Sequence, residues 1–509
     1  MFIFIDIFLQ RTMCKLVYWL DSLKTKQALF IFLVFSISLI SLPLSMSANE
    51  EHYFQLAYLR VSPTDFPLYH AVFDASNSRI FFETILGMLI SFCGYDIAFV
   101  MARTINILLL ATGLSFLFSS IGFSVLMSVG SIAIFYLFGQ QFIGAEWIFG
   151  GVEAKTFAYA ATFISLGYAF KQRWFFATLF AIIATYLHFL VGGFWAAVII
   201  ILAAASPKGI ALGVRIFILY SIAILPIVTI LVIDQFGADI SNATTSITEI
   251  YVARNSHHIS PFNSSFQISN WLPGISLLTC FGVFLFLIKG FENDYKIIKL
   301  SLLLIAYLFL ALTLSFFDRT THFFSKLYLF RPSSLILLLS LIGILNLYYE
   351  QTSKVSSKLL KYFVLSIIFY FSALQGKEII ISMFFDSSSS NNSQIIKAVQ
   401  KYTNAEEIVL IDPKFSPNYS IHRQLSNPTL VEWKFLPAHP TDLIEWDKRM
   451  KFRNDLFTNG CTGLLNYPIR YLLVLSSDSN NSVKNCGKLL WTGNGNVYLI
   501  KVNQIFKSH

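Results

Sequence analysis

Charge is what this chain has least of. Of its 509 residues only 13% are Asp, Glu, Lys or Arg, about half the fraction of an ordinary soluble chain. Cysteine is scarce too, at five residues, which excludes a framework built on disulfides. The chain has no zinc-spaced Cys/His set, no phosphate-binding loop with its lysine and no dinucleotide fingerprint. The formal net charge of +9 is not a nucleic-acid footprint. Most Lys and Arg before residue 386 fall in short loops between apolar runs, as the positive-inside rule expects.

Apolar runs are what is abundant. The mean hydropathy is +0.64, and runs near the spanning length of about 20 residues recur. They cover 27–46, 97–117, 122–143, 156–170, 174–189, 194–205, 216–233, 271–288, 297–317, 332–349 and 362–385. The expected fold class is an all-α polytopic membrane protein of about eleven spans. Segment 1–26 carries Arg11, Lys15, Lys24 and Lys26 and belongs in the cytoplasm. On that count the inner segments hold 14 Lys/Arg and the outer loops seven, which favours this orientation. The outer loops are then 47–96, 144–155, 234–270 and 318–331. Stretch 80–93 is too short to span and carries Glu83, so it reads as a helix along the outer surface. Run 27–46 also ends in a small-residue pattern resembling a signal cleavage site, but its length favours a retained span.

Residues 386–509 are different material. A polar linker leads into helix-like 395–402 and 443–457, strand-like 408–411 and 471–475, and a hairpin around Gly493-Asn494-Gly495. This reads as a small α/β domain on the outer side. Cys461 and Cys486 fall in it and could pair in an oxidising compartment. Glycosylation sequons at Asn242, Asn263 and Asn418 fall on the same side. The expected location is a bacterial inner (plasma) membrane.

Glu50 and Glu51 directly follow the first run, and Glu153 lies in the second outer loop. Carboxylates at that depth are costly unless they have work to do. A general base taking an acceptor proton is one such role, and solvated or Arg79- and Lys155-paired acids are the alternative. Arg319, Lys326 and Arg331 crowd one outer loop, on the side that disfavours basic residues. A guanidinium fork suits a phosphate; anionic headgroups or Asp318 are equal alternatives. Arg103 sits about two turns into the second span, within reach of Glu83 or a catalytic acid. His188 lies at an outer turn beside Gly192-Gly193 and is a candidate substrate contact, though such a histidine is more often structural. His257-His258 has no evident further ligands.

A long first span, an acidic pair directly after it, a surface helix and a second acidic loop after two tightly joined spans resemble the GT-C superfamily of polyprenyl-phosphate-sugar transferases. Gly150-Gly151-Val152-Glu153-Ala154-Lys155 resembles the place where oligosaccharyltransferase-type members carry an acidic motif. One Glu stands here instead of an acid-x-acid motif. The resemblance implies a lipid-linked sugar donor, contact with membrane lipids and no nucleic acid. It also implies a catalytic role for Glu50, Glu51 or Glu153, and donor binding by Lys155, Arg103, His188, Arg319, Lys326 and Arg331. A divalent metal would be a further means of offsetting the charge on the leaving phosphate. A transporter or flippase is the rival reading. It calls for internal repeats and mid-membrane charges, and the sequence has no repeat. A non-enzymatic scaffold displaying the tail is the third.

Overall fold

The computed structural model describes residues 25–40, 46–63, 77–123, 125–137, 140, 142–144, 146–236, 247–259, 261–262, 268, 271–272, 296–318, 323–324, 327–351, 388–415, 420–425, 427–437, 440–461, 464–475, 482–494 and 496–503. It is mostly helical. In chain order the helices used below are α1 (Thr25–Ile40), α2 (Ala48–Val61), α3 (Ile80–Cys93), α4 (Tyr95–Ile121), α5 (Val125–Leu137), α6 (Ala154–Phe170), α7 (Trp174–Leu187), α8 (Phe189–Ala204), α9 (Gly209–Phe236), α10 (Ile247–Ile259), α11 (Lys296–Phe317) and α12 (Ser333–Gln351). A domain with α13 (Ser388–Tyr402), β1 (Ile408–Ile411), α14 (Ser420–Leu425), α15 (Pro440–Asn459), β2 (Ile469–Leu475), β3 (Gly487–Gly493) and β4 (Val497–Val502) follows.

Among the described residues three helices are long and apolar enough to cross a membrane: Tyr95–Ile121, Gly209–Ile233 and Leu300–Phe317. Among the described residues six shorter apolar helices fall on five more of the expected runs and on stretch 80–93. Most of 271–288 and all of 362–385 lie outside the described residues. Many apolar side chains of α9, such as Ile210, Phe217, Ile222 and Ile233, are exposed. A membrane interior would cover such a surface.

Helix α6 is the centre of the bundle. Nearly all its residues are buried, and many are small: Ala158, Ala160, Ala161, Ser165 and Gly167. Small residues let neighbouring backbones approach closely. Gly113 of α4 is such a contact, since a Cβ there would meet the Ala160 carbonyl oxygen at 2.6 Å. The N-terminus of this central helix meets the start of α2 and loop 146–153.

Two expectations about the outer loops change. The polar stretch after the first run is not a loop but helix α2. Ser47 and Glu50 form its capping box, Ser47 N to Glu50 Oε2 at 2.9 Å and Glu50 N to Ser47 Oγ at 3.3 Å, which holds the orphan N–H groups of the first turn. It packs on α3, where a Cβ at Gly87 would lie 2.1 Å from the Ala57 carbonyl oxygen. Helix α3 exposes Phe81, Ile85, Met88 and Phe92 along one face and buries Phe82, Glu83, Leu86 and Ile90 on the other. The turn expected near Gly192-Gly193 falls instead at His188. Both glycines are helical, and Gly192 touches the Thr185 backbone, so the missing side chain is what lets α7 and α8 double back.

In the C-terminal domain the sheet order is β1-β2-β4-β3, with β1 parallel to β2 and the others antiparallel. Successive side chains of a strand point to opposite faces. Leu472 and Val474 meet Leu456 of α15, while Tyr471 and Leu473 meet Ile395 and Val399 of α13 and Ile421 of α14. Helices on both faces explain why 408–411 and 471–475 read as unbroken apolar runs. Helix α13 begins at Ser388, within the expected linker. A Cys461–Cys486 disulfide ties the end of α15 to the approach of β3.

Candidate active site at the outer end of the central helix

The loop before α6 is braced on every side. The Gln140 carboxamide accepts from the Ile148 and Phe149 N–H groups and donates to the Phe149 carbonyl. Asn106 and Thr156 donate to the Gly151 carbonyl. Ser334 of α12 donates to the carbonyls of Gln140 and Glu146. Side chains carried on such a loop are held on rigid elements.

Glu50 is fully buried and fully used. Its Oε1 accepts from Arg103 Nε at 3.2 Å and Val152 N at 2.9 Å. Its Oε2 accepts from Arg103 Nη2 at 2.7 Å and Ser47 N at 2.9 Å. A carboxylate has about four acceptor positions, and all four are filled. Glu50 therefore clamps α2, α4 and the second outer loop together. Gly151 makes room for it, since a Cβ there would lie 3.2 Å from the Glu50 carboxyl carbon. Glu51 turns the other way and binds the Arg423 fork of the C-terminal domain, at 2.8 and 3.2 Å. Glu83 is held by Arg60 and Arg79.

Glu153 is the N-cap residue of α6, where the helix dipole favours negative charge. Its Oε1 accepts from Asn49 Nδ2 at 2.5 Å, and its Oε2 lies 3.4 Å from Lys155 Nζ. Lys155 Nζ is also 3.5 Å from Glu146 Oε2 and 4.1 Å from the centre of the Trp147 ring. Glu146 Oε1 in turn meets Arg331 Nη1 at 2.5 Å and His258 Nδ1 at 3.3 Å. Burial pushes the Glu146 carboxyl up, but the charges of Arg331, Lys155 and His258 outweigh it and hold it at about 2. His258 is pushed down to about 3, mainly by burial, and its Nδ1 lies 2.7 Å from the Gly144 carbonyl oxygen. His188 accepts from Val191 N as the cap of α8 and faces Arg331, Arg79, Glu146 and Lys155. Arg79 lies over the Tyr53 ring at 4.8 Å.

The expected residues thus divide. Glu153, Lys155, Arg331 and His188 come together. Arg103 belongs to the Glu50 clamp, and Glu51 faces the C-terminal domain. Arg319 and Lys326 lie outside the described residues. The sequence reading set His258 aside and weighed Arg79 only as a partner for the acids, and it missed Glu146, Tyr53, Asn49 and Lys434, whose ammonium meets Asn49 Oδ1. Only Glu146 gave a signal, as a second acid in the same loop as Glu153. Arg331 Nε and His52 Nε2 are buried without a hydrogen bond among the described residues. Buried polar groups left so call for an explanation, and a ligand is one.

The residues do not suit a divalent metal. Among the described residues no three His, Cys, Asp or Glu side chains form a ligand set. Between Glu146 and Glu153, where two carboxylates could share a cation, stands the Lys155 ammonium. No protein-family model matches the chain, and no curated protein is significantly similar to it.

Proposed function

We propose that the chain is an integral membrane glycosyltransferase of GT-C type, moving a sugar from a polyprenyl-phosphate carrier to an acceptor on the outer face. Glu153 is the general base. One observation carries the reading: the buried Glu153 carboxylate keeps acceptor capacity beside the Lys155 ammonium. Asn49 and Lys155 engage Glu153, yet its two oxygens offer about four acceptor positions, whereas Glu50 has none left. Lys155 and Arg79 face Glu153, Lys434 stands behind Asn49, and Arg331 lies one step further off, on Glu146. In the reaction Glu153 takes the acceptor proton, the acceptor oxygen bonds the anomeric carbon, and the bond from that carbon to the phosphate oxygen breaks. The charge left on the phosphate falls to Lys155 and the two guanidinium groups.

The same reading takes eleven spans, with the N-terminus inside and the tail outside in a bacterial inner membrane. The C-terminal domain touches α2 and α10, so it shares a face with loops 47–96 and 234–270. Its disulfide suits an oxidising compartment. The scaffold reading gains one point, since Glu50 and Glu51 both serve as clamps. Transfer by the Glu153→Gln variant separates the two. Gln keeps the shape but accepts no proton at neutral pH, so transfer from a polyprenyl-phosphate sugar in membranes should fall by about 10²–10⁴-fold at unchanged protein level. Wild-type transfer by the variant would remove Glu153 as the base, and no transfer by the unaltered chain would leave the scaffold reading standing.

A further inference from the structure

The geometry points to Lys434 of the C-terminal domain as a positioning residue for Glu153, acting through the Asn49 carboxamide. The site is therefore complete only while the C-terminal domain is docked. This rests on the base role given to Glu153 above.

Asn49 stands between two groups of opposite kind. Its Nδ2 donates to Glu153 Oε1 at 2.5 Å and its Oδ1 accepts from Lys434 Nζ. A carboxylate only accepts and an ammonium only donates, so this amide orientation alone satisfies both. Lys434 thereby fixes the Asn49 amide, and the amide fixes the Glu153 oxygen. The other charged or titratable groups facing Glu153 are Lys155 at its own helix start, Tyr53 of α2 and Arg79.

Lys434 is itself anchored. Two residues earlier, buried Glu432 binds His422 Nε2 at 2.9 Å and Arg453 Nη1 at 3.0 Å. Its carbonyl accepts from the Trp446 indole at 3.0 Å. His422 precedes Arg423, so one buried carboxylate sets both segments that reach the membrane domain. Docking does not depend on Lys434 alone. Arg423 binds Glu51, Phe435 meets His52 edge-on at 5.1 Å, and Arg254 Nε donates to the Trp433 carbonyl at 3.0 Å. Loss of the lysine leaves these contacts in place, which makes its effect on Glu153 separable from undocking.

The test uses the full chain in membranes and a polyprenyl-phosphate sugar donor. Lys434→Met should lower kcat by up to about 10²-fold, the loss that a 1 Å misplacement brings, with donor KM little changed. Lys434→Arg should recover most of the rate, because it keeps a donor cation. Asn49→Asp sets a second carboxylate against Glu153, and the acid limb of its pH–rate profile should move to higher pH. Wild-type kcat in Lys434→Met overturns the inference. So does a loss that Lys434→Arg does not rescue together with an unmoved acid limb in Asn49→Asp, because that pattern is simple destabilisation. If Glu153→Gln is inactive while Lys434→Met is normal, the inference alone fails. If Glu153→Gln is active, the base reading fails and takes this inference with it.

Discussion

Replacing Glu50 by Gln should unfold this protein rather than merely silence it. Each carboxylate oxygen of Glu50 accepts two N–H bonds, from Arg103 and Val152 on one side and Arg103 and Ser47 on the other. A glutamine must put its NH₂ group in one of those places. Either way a donor faces two donors, and Arg103, only 8% exposed, loses its counter-charge. Removing one partner of a buried ion pair costs about 3–5 kcal/mol. The loss falls on the contact joining α2, α4 and the second outer loop, so it should act on the whole outer end of the bundle. The assay is the temperature at which half the detergent-solubilised protein stays monodisperse. Glu50→Gln should lower it clearly, and Glu153→Gln should leave it near wild type. A Glu50→Gln protein with a wild-type midpoint and no transfer would refute the argument and return Glu50 to chemistry.

Three further outcomes follow from the same geometry. Lys155 occupies the place between two carboxylates, so transfer should survive chelation of divalent ions, while Lys155→Met should lose it; loss on chelation restored by added metal would overturn this. Glu146 and His258 both have depressed folded-state values, about 2 and about 3. Each therefore contributes stability that is present above its unfolded value and lost as pH falls. For His258 that loss begins below 6.5, and for Glu146 below 4.5. The monodispersity midpoint should drop on acidification through these values, and His258→Phe should flatten the upper part of the drop; a midpoint that rises on acidification would contradict the assignment. Asn494, exposed near the β3–β4 turn, should as Asn494→Cys react with an impermeant thiol reagent in intact cells; labelling only after permeabilisation would invert the proposed orientation.

The strands and helices of the tail were legible because their signals are local. Residues 408–411 and 471–475 carry the apolar runs of strands covered on both faces, and 443–457 falls within α15. Helix α2 was read as a loop, although Ser47-Ala48-Asn49-Glu50 spells a capping box. Its polar composition made it look like a loop, and the weight given to Glu50 as a chemical acid hid its role as a cap. The turn at His188 went unseen because Gly192 and Gly193 are loop-like residues when read alone. They serve a close helix contact that only packing reveals.

By itself the sequence determined the apolar runs and the separate character of the tail, because burial and strand periodicity are properties of neighbouring residues. It also placed carboxylates and cations at the ends of those runs. Only the tertiary structure decided which acid meets which cation. Glu50 found Arg103, 53 residues away, and Glu51 found Arg423, 372 residues away. Glu153, on the rim of the central helix, was left beside Asn49 and Lys155. The physical reason is range: helix formation and membrane burial are set along the chain, whereas an ion pair depends on where distant helices carry their ends.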